Sequence, residues 1–341
     1  MATLLTGSPR VSRSPIWAPK GNSSVYFGGG YLFYSDNPEQ VSYQHTADAG
    51  YWLNRSYLTG DGQVYLWHEN GVGQPINHCL LIYNPNDFPI TVYSSNCGKT
   101  NGNGDSDSNA WANYFRGKSE SVDIDAGGYG NLFLQTNIPA GNNFGVVART
   151  SIRNANTSAS ASAYFYDLAY ISDSGNASQF ASTVGSHSRG HAGAFYNTFY
   201  FDTIAPTDRI NGMAYTVGGS GDTFSGSDRV YVWDDAPSSQ GNMSGPLDGN
   251  FGIQMDIHLP IKNNLGYDSS FRVFIGSIGG YAFPFANMNG ISAQYFWVPP
   301  FQYVDVIDTG TIKAGGSYTA SFFAVVPAVS SAPWVIGAAP A

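Results

Sequence analysis

Charged residues are scarce in this sequence. Asp, Glu, Lys and Arg make up 11% of the 341 residues, whereas about 25% is usual in soluble domains. Binding to nucleic acid requires clustered Lys and Arg that neutralise phosphates, but only 15 such residues are spread along the chain, against 24 acidic ones. The net charge of −9 therefore argues against a nucleic-acid partner. A surface with so little charge also repels its neighbours weakly, which favours association.

Long apolar runs are missing as well. No run in the sequence reaches the roughly 18 residues that are needed to cross a bilayer, so we predict no membrane span. The first twenty residues contain no apolar stretch of signal-peptide length. Either a leader was removed and replaced by a start Met, or the protein leaves the cell by another route. A spore protein that is released when its mother cell lyses would need no leader.

Cysteine occurs only twice, as Cys79 and Cys97. The two residues flank a predicted hairpin that consists of CLLIY, the turn NPNDFP, and ITVYSSNC. Antiparallel pairing about that turn would bring the cysteines within a few residues of each other. We therefore predict a disulfide if the compartment is oxidising and a bulge corrects the register. The alternative is two reduced thiols, one of them buried as a small apolar residue.

Glycine, tyrosine and phenylalanine are abundant, with 41, 23 and 21 residues. They occur in short segments, rich in aromatic and β-branched residues, that end at Gly, Pro, Asn or Asp, and this spacing predicts an all-β fold of two β-sandwich, jelly-roll-like domains. The predicted division is an extended arm over 1–22, a sandwich over 23–173, a linker or long surface loop over 174–193, and a second sandwich over 194–341. One short helix is predicted over 110–119.

The arm carries Val11, Ile16 and Trp17 among Pro, Ser and basic residues. These three apolar side chains could be buried against a partner. We predict that the arm reaches into a neighbouring copy of the chain, for example by adding a strand to an open sheet edge.

Several longer motifs are similar to those of one group of proteins. GNFGIQMDIHLPIKNN, FRVFIGSIGGYAFPF and VDVIDTGTIKAGGSYTASFFAVVPAVSSAPWVIG, with SDNPE, VYLWHENG and LLIYNPNDFPITV earlier in the chain, cover most of 30–338. This region resembles uncharacterised secreted or surface proteins of Gram-positive bacteria, some of which are labelled after an accompanying copper-amine-oxidase-like stalk domain. The resemblance implies a location outside the cell, and it implies no copper chemistry. In the nearest match to the amine-oxidase motif, at Asn113 and Tyr114, Ala110 and Phe115 replace the required Thr and acid.

Catalytic patterns are hard to find in the sequence. A glycosidase needs two carboxylates across a pocket, but the three glutamates, Glu39, Glu69 and Glu120, lie in solvated or turn contexts, and a Gly-x-Ser-x-Gly elbow is missing. His187 and His191 have helical metal-ligand spacing in a glycine-rich segment that disfavours a helix. We interpret the remaining histidines as packed or hydrogen-bonded side chains; they are His45, His68, His78 and His258. The chain is therefore predicted not to be an enzyme.

Aspartates in glycine-rich loops are candidates for a structural calcium ion, because calcium prefers oxygen ligands. The competing interpretation is that they only form turns. The candidates are Asp105, Asp107, Asp222 and Asp228. We predict no cofactor apart from this calcium ion.

Two aromatic clusters are the remaining functional signal. One surrounds Pro299 and Pro300 and includes Tyr295, Trp297, Phe301 and Tyr303; the other comprises Phe195, Tyr196, Phe199, Tyr200 and Phe201. Aromatic side chains of this kind can form a sandwich core, the centre of a protein interface, or a stacking platform for sugar rings.

The sequence as a whole predicts a non-catalytic structural subunit that binds copies of itself in an extracellular, cell-surface or spore-surface layer or filament. The alternative is a secreted carbohydrate-binding or adhesive module that uses exposed aromatics to bind surface glycans. A viral capsid or tail protein would share the same composition.

Overall fold

The structure of the chain is a computed structural model. The described residues are 2–5, 10–11, 16–17, 23–102, 106–172, 177–180, 185–186, 190–206, 212–218, 228–233, 243–282, 285–288, 293–327 and 333–341.

Strands dominate the described residues, which confirms the predicted all-β sandwich class. The first strands are β1 (Thr3–Leu4), β2 (Arg10–Val11), β3 (Ile16–Trp17), β4 (Ser24–Ser35), β5 (Gln40–Val41), β6 (Tyr51–Trp52), β7 (Asn54–Thr59), β8 (Asp61–Asn70), β9 (Ile76–Tyr83), β10 (Ile90–Gly102), β11 (Glu120–Ile124), β12 (Tyr129–Ile138), β13 (Asn143–Asn154) and β14 (Ser162–Tyr170). They are followed by β15 (Gly185–Ser186), β16 (Gly190–Tyr200), β17 (Met213–Val217), β18 (Tyr231–Trp233), β19 (Met243–Pro246), β20 (Gln254–Lys262), β21 (Ser269–Ser277), β22 (Phe285–Asn287), β23 (Gln294–Tyr295), β24 (Tyr303–Ile312), β25 (Ser317–Val325) and β26 (Trp334–Pro340).

Helical structure is limited to one α-helix, α1 (Ser106–Phe115), and four short 3₁₀ turns within the described part of the chain. The predicted helix is therefore confirmed, although it begins four residues earlier than expected. Trp111 and Tyr114, three residues apart on one face, are buried. Gly117 ends the turn after the helix with a φ of 73°, a conformation that suits glycine. No helix in the described ranges is long and apolar enough to cross a bilayer.

The chain forms two compact units. The terminal unit contains Met1–Gly28, Tyr196–Val230 and Leu247–Ala341, and the middle unit contains Gly29–Phe195 and Tyr231–Pro246.

The middle unit packs two sheets face to face. One sheet has the strand order β11-β10-β13-β8-β4, and the other has the order β12-β9-β14-β7. The alternation of β14 shows how the sequence builds the core: Ala163 and Phe165 are buried in the same cluster as Val64 of β8 and Val146 of β13, whereas Tyr164 points to the opposite face. Burial of each large apolar side chain contributes about 1.5–3 kcal/mol.

The terminal unit is also a sandwich. The sheet β1-β24-β21-β26-β17-β3 faces the strands β16-β20-β25-β22-β23. Its core cluster contains Ile257 of β20 and Phe322 of β25 from one side, with Val273 of β21, Val306 of β24 and Ile336 of β26 from the other.

The described strands of the arm pair with their own chain. Leu4 in β1 lies opposite Ile307 and is buried in the core, and Val11 in β2 lies opposite Tyr303 on the same strand, β24. At the other edge of this sheet, β3 runs parallel to β17. The arm thus adds strands to both edges of the sheet, and its insertion into a neighbouring copy stays a prediction.

The predicted hairpin between the cysteines is wrong. β9 and β10 belong to different sheets of the middle unit, because the chain forms an arch over 84–89 instead of a tight turn. The buried side chain of Asn84 holds this arch by donating hydrogen bonds to the carbonyl groups of Phe88, Ile124 and Asp125.

The disulfide expected from that hairpin is not present, since Cys79 and Cys97 are free buried thiols. Cys79 packs in a cluster with Trp52 and Tyr166, whereas Cys97 packs in the cluster between the two sheets. Burial raises the pKa of the Cys97 thiol to about 12, and burial raises the pKa of Cys79 as well.

Candidate functional site

A network of ionisable side chains is buried in the middle unit. The carboxyl group of Asp167 in β14 contacts the imidazoles of His68 in β8 and His78 in β9. All three side chains are fully buried. The Nε2 atom of His68 lies 3.0 Å from Asp167 Oδ2, and the Nε2 atom of His78 lies 2.7 Å from Asp167 Oδ1. We call these three residues the histidine–aspartate network.

The outer nitrogens of both imidazoles also face oxygen acceptors. His68 Nδ1 lies 2.7 Å from the carbonyl oxygen of Pro38, and His78 Nδ1 lies 3.0 Å from Gln135 Oε1. The Gln135 amide is oriented by its NH₂ group, which donates to the carbonyl of Thr100. Each of the four ring nitrogens therefore faces an oxygen atom that can accept a hydrogen bond.

The two imidazoles control the protonation of Asp167. Burial by itself would raise the pKa of this carboxyl group, but attraction to His78 and hydrogen bonds from His68 and His78 hold its pKa well below the ordinary value. The carboxylate therefore stays charged inside the core.

The network does not have the geometry of a hydrolase triad. In a triad, the histidine contacts the nucleophile through one ring nitrogen and the carboxylate through the other. Here Ser35 Oγ lies 3.1 Å from His68 Nε2, the same nitrogen that faces Asp167. The side chains are also closed to solvent, so the arrangement fits a role in stability.

Sequence reasoning placed His68 and His78 among hydrogen-bonded side chains, which is confirmed, but it missed Asp167. The available signal was the single acidic residue in the strand SAYFYDLAY, where neighbouring residues are apolar or aromatic. A lone acid in such a strand requires a partner.

Two of the four calcium candidates, Asp107 and Asp228, lie among the described residues. Asp228 is buried, and its Oδ2 accepts a 2.6 Å hydrogen bond from the backbone N–H of Gly218. Its carbonyl group accepts hydrogen bonds from the amides of Asn197 and Asn250, so the residue organises local loops. Asp107 lies in α1.

The other calcium candidates, Asp105 and Asp222, lie outside the described residues, as does His187. Within the described ranges, no group of three or more His, Cys, Asp or Glu side chains could hold a metal ion.

The aromatic residues around Pro299 do not share one exposed face. Phe301 is 74% exposed, and Tyr295 is also exposed. Trp297 is half-buried and stacks on Tyr281 with ring centroids 5.6 Å apart. Tyr303 is buried in the space left by the missing side chain of Gly276, and burial raises the pKa of its hydroxyl group.

The second aromatic cluster is divided by the alternation of β16. Phe199 and Phe201 point into the core of the terminal unit, whereas Tyr196 and Tyr200 are exposed. Tyr26, on the adjacent strand β4, is exposed as well. We call Tyr26, Tyr196 and Tyr200 the tyrosine strip.

The strip borders an open depression of about 510 Å³. Among the described residues, it is lined by Ser24, Tyr26, Thr198 and Tyr200. The rings of Tyr26 and Tyr200 lie 5.9 Å apart at an interplanar angle of 80°. Tyr196 lies across Gly28, where an added Cβ would meet the tyrosine ring at 2.6 Å.

His258 supports the strip from one side. Its ring stacks on Tyr200 with centroids 4.6 Å apart and an interplanar angle of 8°. His258 Nδ1 lies 3.0 Å from Ser321 Oγ, and Nε2 lies 3.4 Å from Asp256 Oδ2. These contacts fix the orientation of the Tyr200 ring.

The middle unit carries a different arrangement of tyrosines. Tyr129, Tyr83, Tyr164 and Tyr57 are register partners across the four strands β12, β9, β14 and β7, and we call them the tyrosine ladder. Tyr83 stacks on Tyr129 at 4.7 Å and on Tyr164 at 6.2 Å. Tyr57 lies 4.8 Å from Tyr164 at an interplanar angle of 45°. The guanidinium of Arg55 lies 4.7 Å from the Tyr164 ring centroid.

Comparison with known proteins gives weak structural similarities and no family or curated match. No family model matches the chain, and no curated protein matches it. The similarity to surface proteins of Gram-positive bacteria therefore stays a prediction.

Some solved structures are weakly similar. The 7S globulin of Momordica charantia is 8% identical, with a TM-score of 0.14 over 83% of this chain and 78% of that one. The tandem CBM22 domains of Xyn10C from Paenibacillus barcinonensis are 10% identical, with a TM-score of 0.17 over 99% of both chains. Oxalate decarboxylase of Lactobacillus farciminis is 10% identical, with a TM-score of 0.14 over 93% of this chain and 83% of that one.

Proposed function

We propose that this chain is a non-catalytic structural subunit of an extracellular, cell-surface or spore-surface layer or filament, and that copies of the chain contact one another directly. The observation that carries this proposal is the edge strand β3. Ile16 and Trp17 are paired with β17 on one side, and their side chains are 56% and 48% exposed. An edge strand with exposed apolar side chains is a template for pairing with another chain.

The tyrosine-rich surface supports the same proposal. Tyrosine is enriched in protein interfaces, and charged residues are depleted from interface cores. Twelve described tyrosines are exposed: Tyr26, Tyr43, Tyr51, Tyr57, Tyr93, Tyr129, Tyr196, Tyr200, Tyr231, Tyr267, Tyr281 and Tyr295. With 11% charged residues in the chain, this surface opposes contact between copies only weakly.

Electron microscopy and light scattering of the purified full chain test this proposal. We expect the wild-type protein to form oligomers or filaments, and the variant Trp17→Lys to remain monomeric because the added charge blocks pairing at the edge. A point substitution is preferable to deletion of the arm, since Leu4 belongs to the core. The matched control is Tyr267→Lys, which adds the same charge at another exposed aromatic residue. A monomeric wild-type protein, or normal assembly of Trp17→Lys, would contradict the proposal.

A second candidate function is that of a secreted carbohydrate-binding or adhesive module. The tyrosine strip favours it, because the exposed rings of Tyr26 and Tyr200 border an open depression lined with hydroxyl groups.

A further inference from the structure

The tyrosine strip lies on one face of two neighbouring strands. Tyr196, Thr198 and Tyr200 alternate along β16, and Ser24 and Tyr26 alternate along β4. Residues two apart on a strand point to the same face. From Tyr196 to Tyr200, the strip is about 13 Å long, which is enough for a ligand larger than a single small ring.

The two rings that border the depression form a corner. Tyr26 and Tyr200 stand nearly perpendicular to each other, and one face of Tyr200 is covered by His258. Tyr26 is 61% exposed. A flat ligand can therefore rest one face on an aromatic ring while its edge contacts the other ring. Neighbouring rings of the tyrosine ladder are not perpendicular, since their interplanar angles are 29°, 27° and 45°.

The lining of the depression selects a neutral ligand rich in hydroxyl groups. The described lining side chains, Ser24, Tyr26, Thr198 and Tyr200, are uncharged, and each carries a hydroxyl group that can donate and accept hydrogen bonds. A pyranose ring presents apolar C–H groups on its faces and hydroxyl groups around its edge. We propose that the tyrosine strip is a binding site for a neutral oligosaccharide, with a pyranose ring stacked on Tyr26 or Tyr200 and its hydroxyl groups bonded to Ser24 and Thr198.

The site is organised before a ligand binds. The contact of His258 with Ser321 holds the imidazole in place, and the imidazole in turn holds the Tyr200 ring. Binding therefore costs little side-chain entropy at Tyr200. This inference rests on the second candidate function, and it does not depend on self-assembly.

Isothermal titration of the full chain with neutral oligosaccharides tests the site. The probes are cellohexaose, xylohexaose, mannohexaose and chitohexaose. We expect at least one of them to bind, and we expect Tyr26→Ala and Tyr200→Ala each to weaken its binding at least tenfold, because each removes an aromatic face. Tyr26→Phe keeps the aromatic face and should retain most of the wild-type affinity. Tyr57→Ala, in the tyrosine ladder, is the matched control and should bind like the wild type.

The outcomes distinguish a failure of the proposed site from a failure of the second candidate function. If the wild type binds an oligosaccharide and both strip variants bind it equally well, the site is elsewhere and the inference is overturned, while the second candidate function survives. If none of the four probes binds, both are overturned. Circular dichroism of each variant establishes that the fold is retained, so that a loss of affinity can be assigned to the strip.

Discussion

The cores of the terminal unit and the middle unit differ in the side chains that they bury. The main cluster of the terminal unit consists of apolar residues such as Ile257, Val273 and Phe322. In the middle unit, the apolar core is divided into several clusters, and Phe144 of one of them contacts the rings of both His68 and His78.

This difference has a thermodynamic consequence. Apolar burial stabilises a fold without regard to pH, whereas a buried carboxylate between imidazoles links stability to protonation. The apolar main cluster of the terminal unit and the histidine–aspartate network of the middle unit should therefore respond differently to substitution and to acid.

The substitution Asp167→Asn should have the largest effect on this contrast. It removes the negative charge but keeps the shape, so one imidazole faces an amide NH₂ group instead of an oxygen, and the core loses the carboxylate that both imidazoles contact. We expect the free energy of unfolding to fall by about 3–5 kcal/mol, measured by urea unfolding at neutral pH. Asp125→Asn is the matched control at an exposed position and should change stability by less than about 0.5 kcal/mol. Equal losses of unfolding free energy in the two variants would show that the histidine–aspartate network does not stabilise the fold.

The pH dependence should follow from the lowered pKa of Asp167. A carboxyl group with a lowered folded-state pKa contributes stability that is fully present above its unfolded value of about 3.9 and is lost as the pH falls toward the folded value. The difference in stability between the wild type and Asp167→Asn should therefore shrink as the pH falls from about 5 toward about 2. Urea unfolding of both proteins over this range measures it, and a difference that stays constant would rule out the linkage.

A core substitution in the terminal unit should behave in the opposite way. Ile257 is fully buried among apolar side chains, so Ile257→Val should cost about 0.5–1.5 kcal/mol. This cost reflects one lost methylene group, and we expect it to be the same at neutral and at acidic pH. Urea unfolding of the wild type and the variant at two pH values measures this cost. A cost that depends strongly on pH would contradict the proposed difference between the apolar cluster and the histidine–aspartate network.

The sequence predicts local features of this fold well. Turn residues and alternating aromatics identify most strands. In AFYNTFYFDTI, the alternation already indicates that Phe199 and Phe201 lie on one face and that Tyr196 and Tyr200 lie on the other. The sequence interpretation treated these residues as one cluster, although a strand places adjacent residues on opposite faces. The strip could therefore have been identified in part from the sequence alone.

Features that depend on distant contacts could not be predicted in this way. The arch at Asn84 is held by carbonyl groups about forty positions away in the chain, so NPNDFP looks like a simple turn in the sequence. His68 and His78 are separated from Asp167 by 99 and 89 positions. The meeting of these residues is set by the pairing and packing of β8, β9 and β14, which no local pattern reports.

Thiol reagents should have the smallest effect on the folded protein, because the arch separates Cys79 from Cys97 and the core buries both. Since burial raises the pKa of Cys97 to about 12 and raises the pKa of Cys79 as well, both groups stay protonated near neutral pH, and the reactive thiolate is scarce. We expect iodoacetamide to modify neither cysteine in the folded protein and both in urea, as measured by intact mass. Added reductant should leave the unfolding midpoint unchanged, since there is no Cys79–Cys97 bond to break. A reductant-sensitive midpoint would instead require β9 and β10 to lie side by side, and the two-sheet core of the middle unit would then have to be arranged differently.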